Sequence, residues 1–282
     1  QPRSRGLGDV YKRQAMDSLN LGNKFNTSNV TNMFVMFQHT GHTKMTSLDL
    51  GDKFDTSSVT DMTGMFLGTG YVAMTSLNLR DKFDTSNVTS MYATFQETGY
   101  TAMTSLDLGD KFDTSNVTSM LEMFYNCKAL TTLNLSNFNT SSVTNMQTMF
   151  SGCMALTTLD LSGFNTINVI TMRTMFNNCK ALTTIYVSEF NAETSTGWTT
   201  TAVTNSTSMF SNCTNIIGGN GTTYNNNITD KTYAVIDTAT TPGYLTNINK
   251  NKKIKMIQNF TYILLCGIII LLAKFSGSEC CA

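Results

Sequence analysis

The chain has 282 residues, 41% of them hydrophobic, with 19 Lys or Arg set against 19 Asp or Glu. The zero sum conceals a division: residues 15–249 carry ten cations and seventeen anions, a net charge of −7, and the cationic excess lies in the two terminal stretches. An acidic body with no basic stripe argues against nucleic-acid binding, which depends on neutralising phosphates.

Residues 1–14 are set aside. Ser4 to Gln14 (SRGLGDVYKRQ) resemble the translation of a common transposase sequencing adapter, Asp9 to Gln14 being its end, and are read as a scar. Native sequence is then expected from Ala15, starting in mid-gene, with any signal peptide and earlier repeats lying upstream.

From there the chain repeats itself. Met16, Met45, Met74, Met103, Leu130, Leu156 and Leu182 open the same phrase at intervals of 29, 29, 29, 27, 26 and 26 residues. A clear copy is LTTLNLSNFNTSSVTNMQTMFSGCMA, Leu130 to Ala155. Extra residues fall in two places only, at Gly51 to Phe54 against Ser136 to Phe138 and in Phe66 to Met74, which marks surface loops on a fixed frame. Leu133 and Leu135 alternate with Thr132 and Asn134, the period of a short strand. Val143, Met146, Met149, Phe150 and Cys153 follow at steps of three, three, one and three. That spacing predicts a helix of one to three turns, capped by Thr140 or Ser141.

A strand and a short helix every 26–29 residues constitute a leucine-rich-repeat unit, which buries its apolar face only by stacking on neighbours. The expected fold is an α/β repeat solenoid: a leucine-rich-repeat-like stack of short parallel strands and short helices over residues 15–215, its sheet about 35 Å long at ~4.8 Å per strand. The pattern loosens after Leu182, where Glu193 to Ala202 insert a Thr-rich loop with the only Trp, Trp198. Residues 216–246, rich in Gly and Asn and holding Pro242, are expected to form a C-terminal cap over the open sheet edge.

The phrase FNTSSVTNMQTMFSGCMALTTLDLS (Phe138 to Ser162) closely resembles the BspA-like leucine-rich-repeat surface proteins, whose repeats also occur in mycoplasma lipoproteins. The closing GGNGTTY, DKTYAVID and PGYLT are similar to the segment that often ends such arrays. The resemblance covers Ala15 to Thr246. It implies an extracellular repeat domain, displayed at a cell surface or secreted, and several members are associated with adhesion to host matrix proteins or other cells.

Cys127, Cys153, Cys179 and Cys213 share one position with Thr40, Thr69 and Thr98. A slot common to Cys and Thr reads as small and buried, an inward thiol ladder. Inter-repeat disulfides and a metal site are the alternatives, the first with poor Cβ geometry and the second without a C-x-x-C pair. The paired methionines, such as Met146 and Met149, read as core filling rather than as a metal column. His39 and His42 lie in one inserted loop, and no nucleophile–base constellation or phosphate loop recurs. The chain is therefore expected to be no enzyme and to need no metal or cofactor. Sequons such as Asn29, Asn87, Asn116, Asn212 and Asn220 matter only in a eukaryotic source.

The outward column of the sheet carries the functional expectation. It reads Asn20, Asp49, Asn78, Asp107, Asn134, Asp160, Tyr186, beside a hydroxyl column from Ser18 to Thr184. Adjacent aspartates at ~4.8 Å would repel by roughly 0.9 kcal/mol even in water. Alternation with Asn avoids this and leaves a hydrogen-bonded ladder. Three readings stand: a ladder that satisfies an exposed sheet, a flat and weakly acidic face for a protein or glycan ligand on host or neighbouring cells, or calcium bridging of the aspartates. A structural spacer with no ligand of its own is the rival to a binding module.

The tail divides into a basic linker (247–259), an apolar segment (260–275) and residues 276–282. Phe260 to Ala273 is short for a membrane span, and its lysines lie on the repeat side, against the positive-inside rule. It reads as a membrane anchor, as a signal-peptide-like stretch from Met256, or as a buried terminal element.

Overall fold

The computed structural model describes residues 15–79 and 83–249. Residues 1–14, the apolar segment 260–275 and most of the basic linker lie outside the described residues.

The described chain is a parallel β-solenoid of about six turns with almost no helix. Each repeat opens with a short strand: β1 (Ser18–Asn20), β2 (Ser47–Asp49), β3 (Ser76–Asn78), β4 (Ser105–Asp107), β5 (Thr132–Leu133), β6 (Thr158–Asp160) and β7 (Thr184–Val187). In β2, β3, β4 and β6 the central Leu points inward and its neighbours outward, as the alternation requires, and in β7 Ile185 and Val187 are the inward pair. Pairing is parallel and in register, Leu48 on Leu19 and Leu106 on Leu77. It falls into three ladders, β1–β2, β3–β4–β5 and one of β6, β7 and the closing strand β8 (Leu245–Asn247), rather than the single long sheet expected.

The unbroken ladder lies elsewhere in the repeat. Parallel bridges run from Asn32 through Asp61, Ser90, Ser119, Asn145 and Thr171 to Asn205. This is the segment expected to be helical, and the expectation fails. In a helix every N–H bonds four residues back along its own segment. Here alternate N–H groups leave the repeat: Met146 donates to Thr171, Thr148 to Arg173, Phe150 to Met175 and Gly152 to Asn177, at 2.7–3.0 Å. The intervening ones close four-residue turns, Met149 to Met146 and Ser151 to Thr148. The geometry needs a left-handed backbone at every fourth residue, which ends any helix. Thr148 (φ 60) and Gly152 (φ 77) supply it here, as Gly64 and Gly68 do three repeats earlier in register, and Thr174 and Asn178 in the next. The only helical element with a full turn among the described residues is a 3-10 turn, Lys231–Tyr233.

The core is a set of files along the solenoid axis. Phe37, Phe66, Phe95, Phe124, Phe150, Phe176 and Phe210 stack with centroids 5.4–5.8 Å apart and planes within 15°. Offset stacking at this spacing adds to what burial of each ring contributes. Tyr244 closes the file edge-on, at 5.1 Å and 74° to Phe210. Around it β8 (Leu245–Asn247) adds a parallel strand beyond β7, and the Trp198 indole donates to the Ala234 carbonyl at 2.9 Å.

Polar interior columns hold successive repeats together. Thr27, Thr56, Thr85, Thr114, Thr140 and Thr166 are buried, and each donates its hydroxyl to a backbone carbonyl of the next repeat at 2.6–2.9 Å. Thr140 is thus no helix cap. The shared Thr/Cys slot works in the other direction: Thr69, Thr98, Cys127, Cys153, Cys179 and Cys213 each donate to the Phe carbonyl of the preceding repeat, at 2.7–3.2 Å. A hydroxyl and a thiol do the same job there, which is why the two types interchange.

Candidate functional site

The seven candidate residues fall on the outer side of the strand column. Asn20, Asn78, Asp107, Asn134 and Asp160 are exposed; Asp49 and Tyr186 are half-buried. The ladders bring them together in register as Asn20 on Asp49, Asn78 on Asp107 and Asp160 on Tyr186, while Asn134 lies just past β5.

Their hydrogen bonds are of two kinds. Asn20 Nδ2 donates to Asp49 Oδ2 at 3.0 Å, one rung of the expected Asn–Asp ladder. The recurring bond, however, stays inside the repeat: Oδ1 of Asn20, Asp49, Asp107, Asn134 and Asp160 accepts from the N–H two residues on, at 2.7–3.1 Å. This is an Asx turn, the side chain standing in for a backbone carbonyl at a corner. Asp and Asn serve equally as its acceptor. The turn is tight at Gly51 (φ +74), where a Cβ would lie 2.1 Å from the Gly22 carbonyl oxygen. Small depressions border the column, about 180 Å³ beside Asn20, Asp49 and Asp52, and about 80 Å³ between Asp107 and Asn137.

The same device recurs at two further corners. Asp55, Asp84 and Asp113 accept from Ser57, Ser86 and Ser115 at 2.8–2.9 Å, and Asn32, Asp61 and Asn145 from Phe34, Thr63 and Gln147 at 2.8–2.9 Å. The abundance of Asp and Asn therefore has a local cause in corner geometry, which sequence periodicity alone does not reveal.

The four described cysteines are free and buried, and burial pushes their thiols up, Cys213 to about 12. Their sulfurs hydrogen-bond to backbone carbonyls, an arrangement for inert thiols rather than nucleophiles. Among the described residues no group of three or more His, Cys, Asp or Glu is placed to hold a metal ion. No helix among them is long and apolar enough to cross a membrane.

One surface feature had no counterpart in the sequence reading. His42, Tyr71 and Tyr100 stack at 4.5 and 4.3 Å with planes within 9°, and the Lys128 ammonium lies 4.2 Å from the Tyr100 centroid. The residues are 29, 29 and 28 apart, so the repeat period itself is the signal that locates them. Burial, then the neighbouring His39, lowers the His42 pKa.

Residues 9–106, 42–133, 99–217 and 185–248 match the family described as "Mycoplasma protein of unknown function, DUF285". The chain belongs to this family. The overlapping matches follow the same repeated unit that builds the solenoid. No curated protein and no solved structure matches the chain.

Proposed function

We propose that this solenoid is a non-enzymatic binding module of a cell surface or secreted protein, which contacts protein or glycan ligands of host or neighbouring cells through the face that runs from Asn20 to Tyr186. The observation that carries the reading is a file of exposed and half-buried amide and carboxylate groups at regular spacing on a hydrogen-bonded frame, bordered by small depressions. A long polar surface of that kind suits a macromolecule better than a metabolite. The likeness of the repeat to BspA-like leucine-rich-repeat surface proteins adds an adhesive role, and the segment 260–275 would serve as a membrane anchor.

A spacer without a ligand is the second reading. It is favoured by the Asx turns, which give Asn20, Asp49, Asp107, Asn134 and Asp160 an architectural task.

The test is binding of the full chain to immobilised matrix proteins and mucosal glycans, with Asp49→Asn, Asp107→Asn and Asp160→Asn combined in one variant. Asn retains the Oδ1 acceptor of the turn, so the variant removes charge without removing the corner. Saturable binding that weakens in the folded variant supports the sheet face. Binding that persists unchanged moves the site elsewhere, and absence of binding across the panel favours the spacer.

A further inference from the structure

The two ends of the solenoid are finished differently. At the C-terminal end the backbone donors of the last repeat are taken up: Phe210 N–H bonds to the Thr229 carbonyl at 2.8 Å and Asn212 N–H to the Tyr224 hydroxyl at 3.0 Å. Tyr244 covers the ring of Phe210 there, and β8 lies beyond β7. The first repeat shows no such cover. In the second repeat the carbonyls of Asp61, Thr63, Met65 and Leu67 accept from alternate residues of the first, Met33 to His39, at 2.8–2.9 Å. Their counterparts one period earlier, the carbonyls of Asn32, Phe34, Met36 and Gln38, accept no bond among the described residues. The Thr31 N–H likewise donates to none of them, whereas Thr60, Thr89 and Thr118 each donate to the repeat before.

Side-chain burial changes at the same place. Leu19, Leu21 and Val30 are half-buried, and Leu48, Leu50 and Val59, which follow them in register, are buried. Phe25 is 41% exposed, with one face stacked on Phe54 at 6.4 Å and 9°. The end is thus an apolar patch edged by a row of carbonyls directed along the axis, a template of the kind that an open strand edge provides. A second copy does not fit it. Two such ends brought together offer a row of N–H groups from neither side, and the far end of a second copy is covered by its cap. What fits is a chain whose N–H groups point along the axis at every second residue with apolar side chains between them, which is how each repeat meets the next.

We propose that the N-terminal end, from Leu19 to Gln38, is a docking surface for one further repeat-type segment, carried on another chain of this family. The incoming segment donates to the Asn32, Phe34, Met36 and Gln38 carbonyls, returns a carbonyl to the Thr31 N–H, and lays a ring on Phe25. Repeats of a solenoid couple only to their neighbours, so a seam formed between chains matches those within one. The strand face takes no part in it.

The probe is a synthetic peptide with the sequence of residues 45–73, titrated into methyl-labelled full chain beside a scrambled peptide of the same composition. The expected result is a shift of the Leu19, Leu21 and Val30 methyl signals and slower hydrogen exchange at the Thr31 amide, with the first peptide and not the second. A twin with N-methylglycine in place of the glycines copied from Gly64 and Gly68 lacks the donors for the Phe34 and Gln38 carbonyls, and binds about tenfold more weakly. Phe25→Asp weakens binding by a similar factor, and Phe190→Asp, at a residue 38% exposed near β7, leaves it unchanged. The unfolding midpoint checks that both variants fold. Equal binding of the twin, shifts confined to other repeats, or no binding of the peptide overturns the proposal. So does dimerisation of the chain alone that Phe25→Asp abolishes, which would assign the end to a second copy.

Discussion

The buried threonine column offers the sharpest test of how the repeats are joined. Thr140 is fully buried, and its hydroxyl both donates to the Asn165 carbonyl at 2.9 Å and accepts from the Asn165 N–H at 2.8 Å. Thr140→Val keeps the shape of the side chain and removes both bonds, leaving two backbone groups of the next repeat unmatched. Each net hydrogen bond contributes about 1 kcal/mol, and a buried group left unpaired costs up to about 3 kcal/mol. Asn165 is half-buried and regains part of this from water, so the expected loss is about 2–4 kcal/mol. For a body of this size that lowers the midpoint of thermal unfolding by roughly 4–12 °C. Urea unfolding followed by circular dichroism measures the loss directly. Thr140→Ser, which retains the donor and the acceptor, should recover most of it. Thr144→Val serves as the exposed counterpart: its hydroxyl also donates across repeats, to the Thr118 carbonyl at 3.2 Å, but in contact with water, and it should cost under about 0.5 kcal/mol. If Thr140→Val is as mild as Thr144→Val, the column is not what ties one repeat to the next.

Three other expectations follow from the same structure. Cys153→Thr reproduces the arrangement of Thr69 and should cost under about 1.5 kcal/mol, whereas Cys153→Ala loses the bond to Phe124 and more stability; Ellman's reagent should leave all four described thiols unmodified until the chain unfolds. Phe150→Ala, in the middle of the ring file, should destabilise by about 3–5 kcal/mol, and Phe25→Ala, 41% exposed and stacked outside that file on Phe54, by far less in the same urea series. Asp237 should make the cap acid-labile: burial pushes its carboxyl up, but bonds from Thr222, Asn220 and Gly243 outweigh this and hold the pKa below the usual range. Its contribution is therefore present above the unfolded value of about 3.9 and lost as pH falls through the folded one. Hydrogen exchange at residues 219–222 and 243–245 should then accelerate at low pH in the native protein, and Asp237→Asn should abolish that pH dependence.

Much of the solenoid was legible in the sequence, because period, strand position and inward residues all follow from burial. Leu133, Val143, Met146, Met149, Phe150 and Cys153 face the core as their spacing required. The handedness of the second half was not legible. A helix repeats every 3.6 residues, while the observed backbone places residues in pairs, in and out, every four. Over the eight residues from Met146 to Cys153 the two differ by less than one position, so apolar spacing cannot separate them. Glycine and asparagine could have: Gly64, Gly68 and Gly70, or Asn126, Gly152 and Asn178 in register, sit where the chain must turn left-handed. Thr148, Thr174, Glu122 and Val35 occupy the companion positions without such a signature, and these hide the pattern. For the strand face, exposure of Asn20 to Asp160 was readable, but the corner bonds were not, since an Asx turn depends on where the backbone bends.

The cross-repeat bonds have a consequence for how this molecule changes over generations. Thr114 reaches only the repeat after it and Cys153 only the one before, so the seam between any two repeats is interchangeable with the next. Unequal crossing-over within such a gene would add or delete whole turns and leave matched seams behind. Length becomes a trait that varies in steps of about 4.8 Å, separately from whatever its faces display.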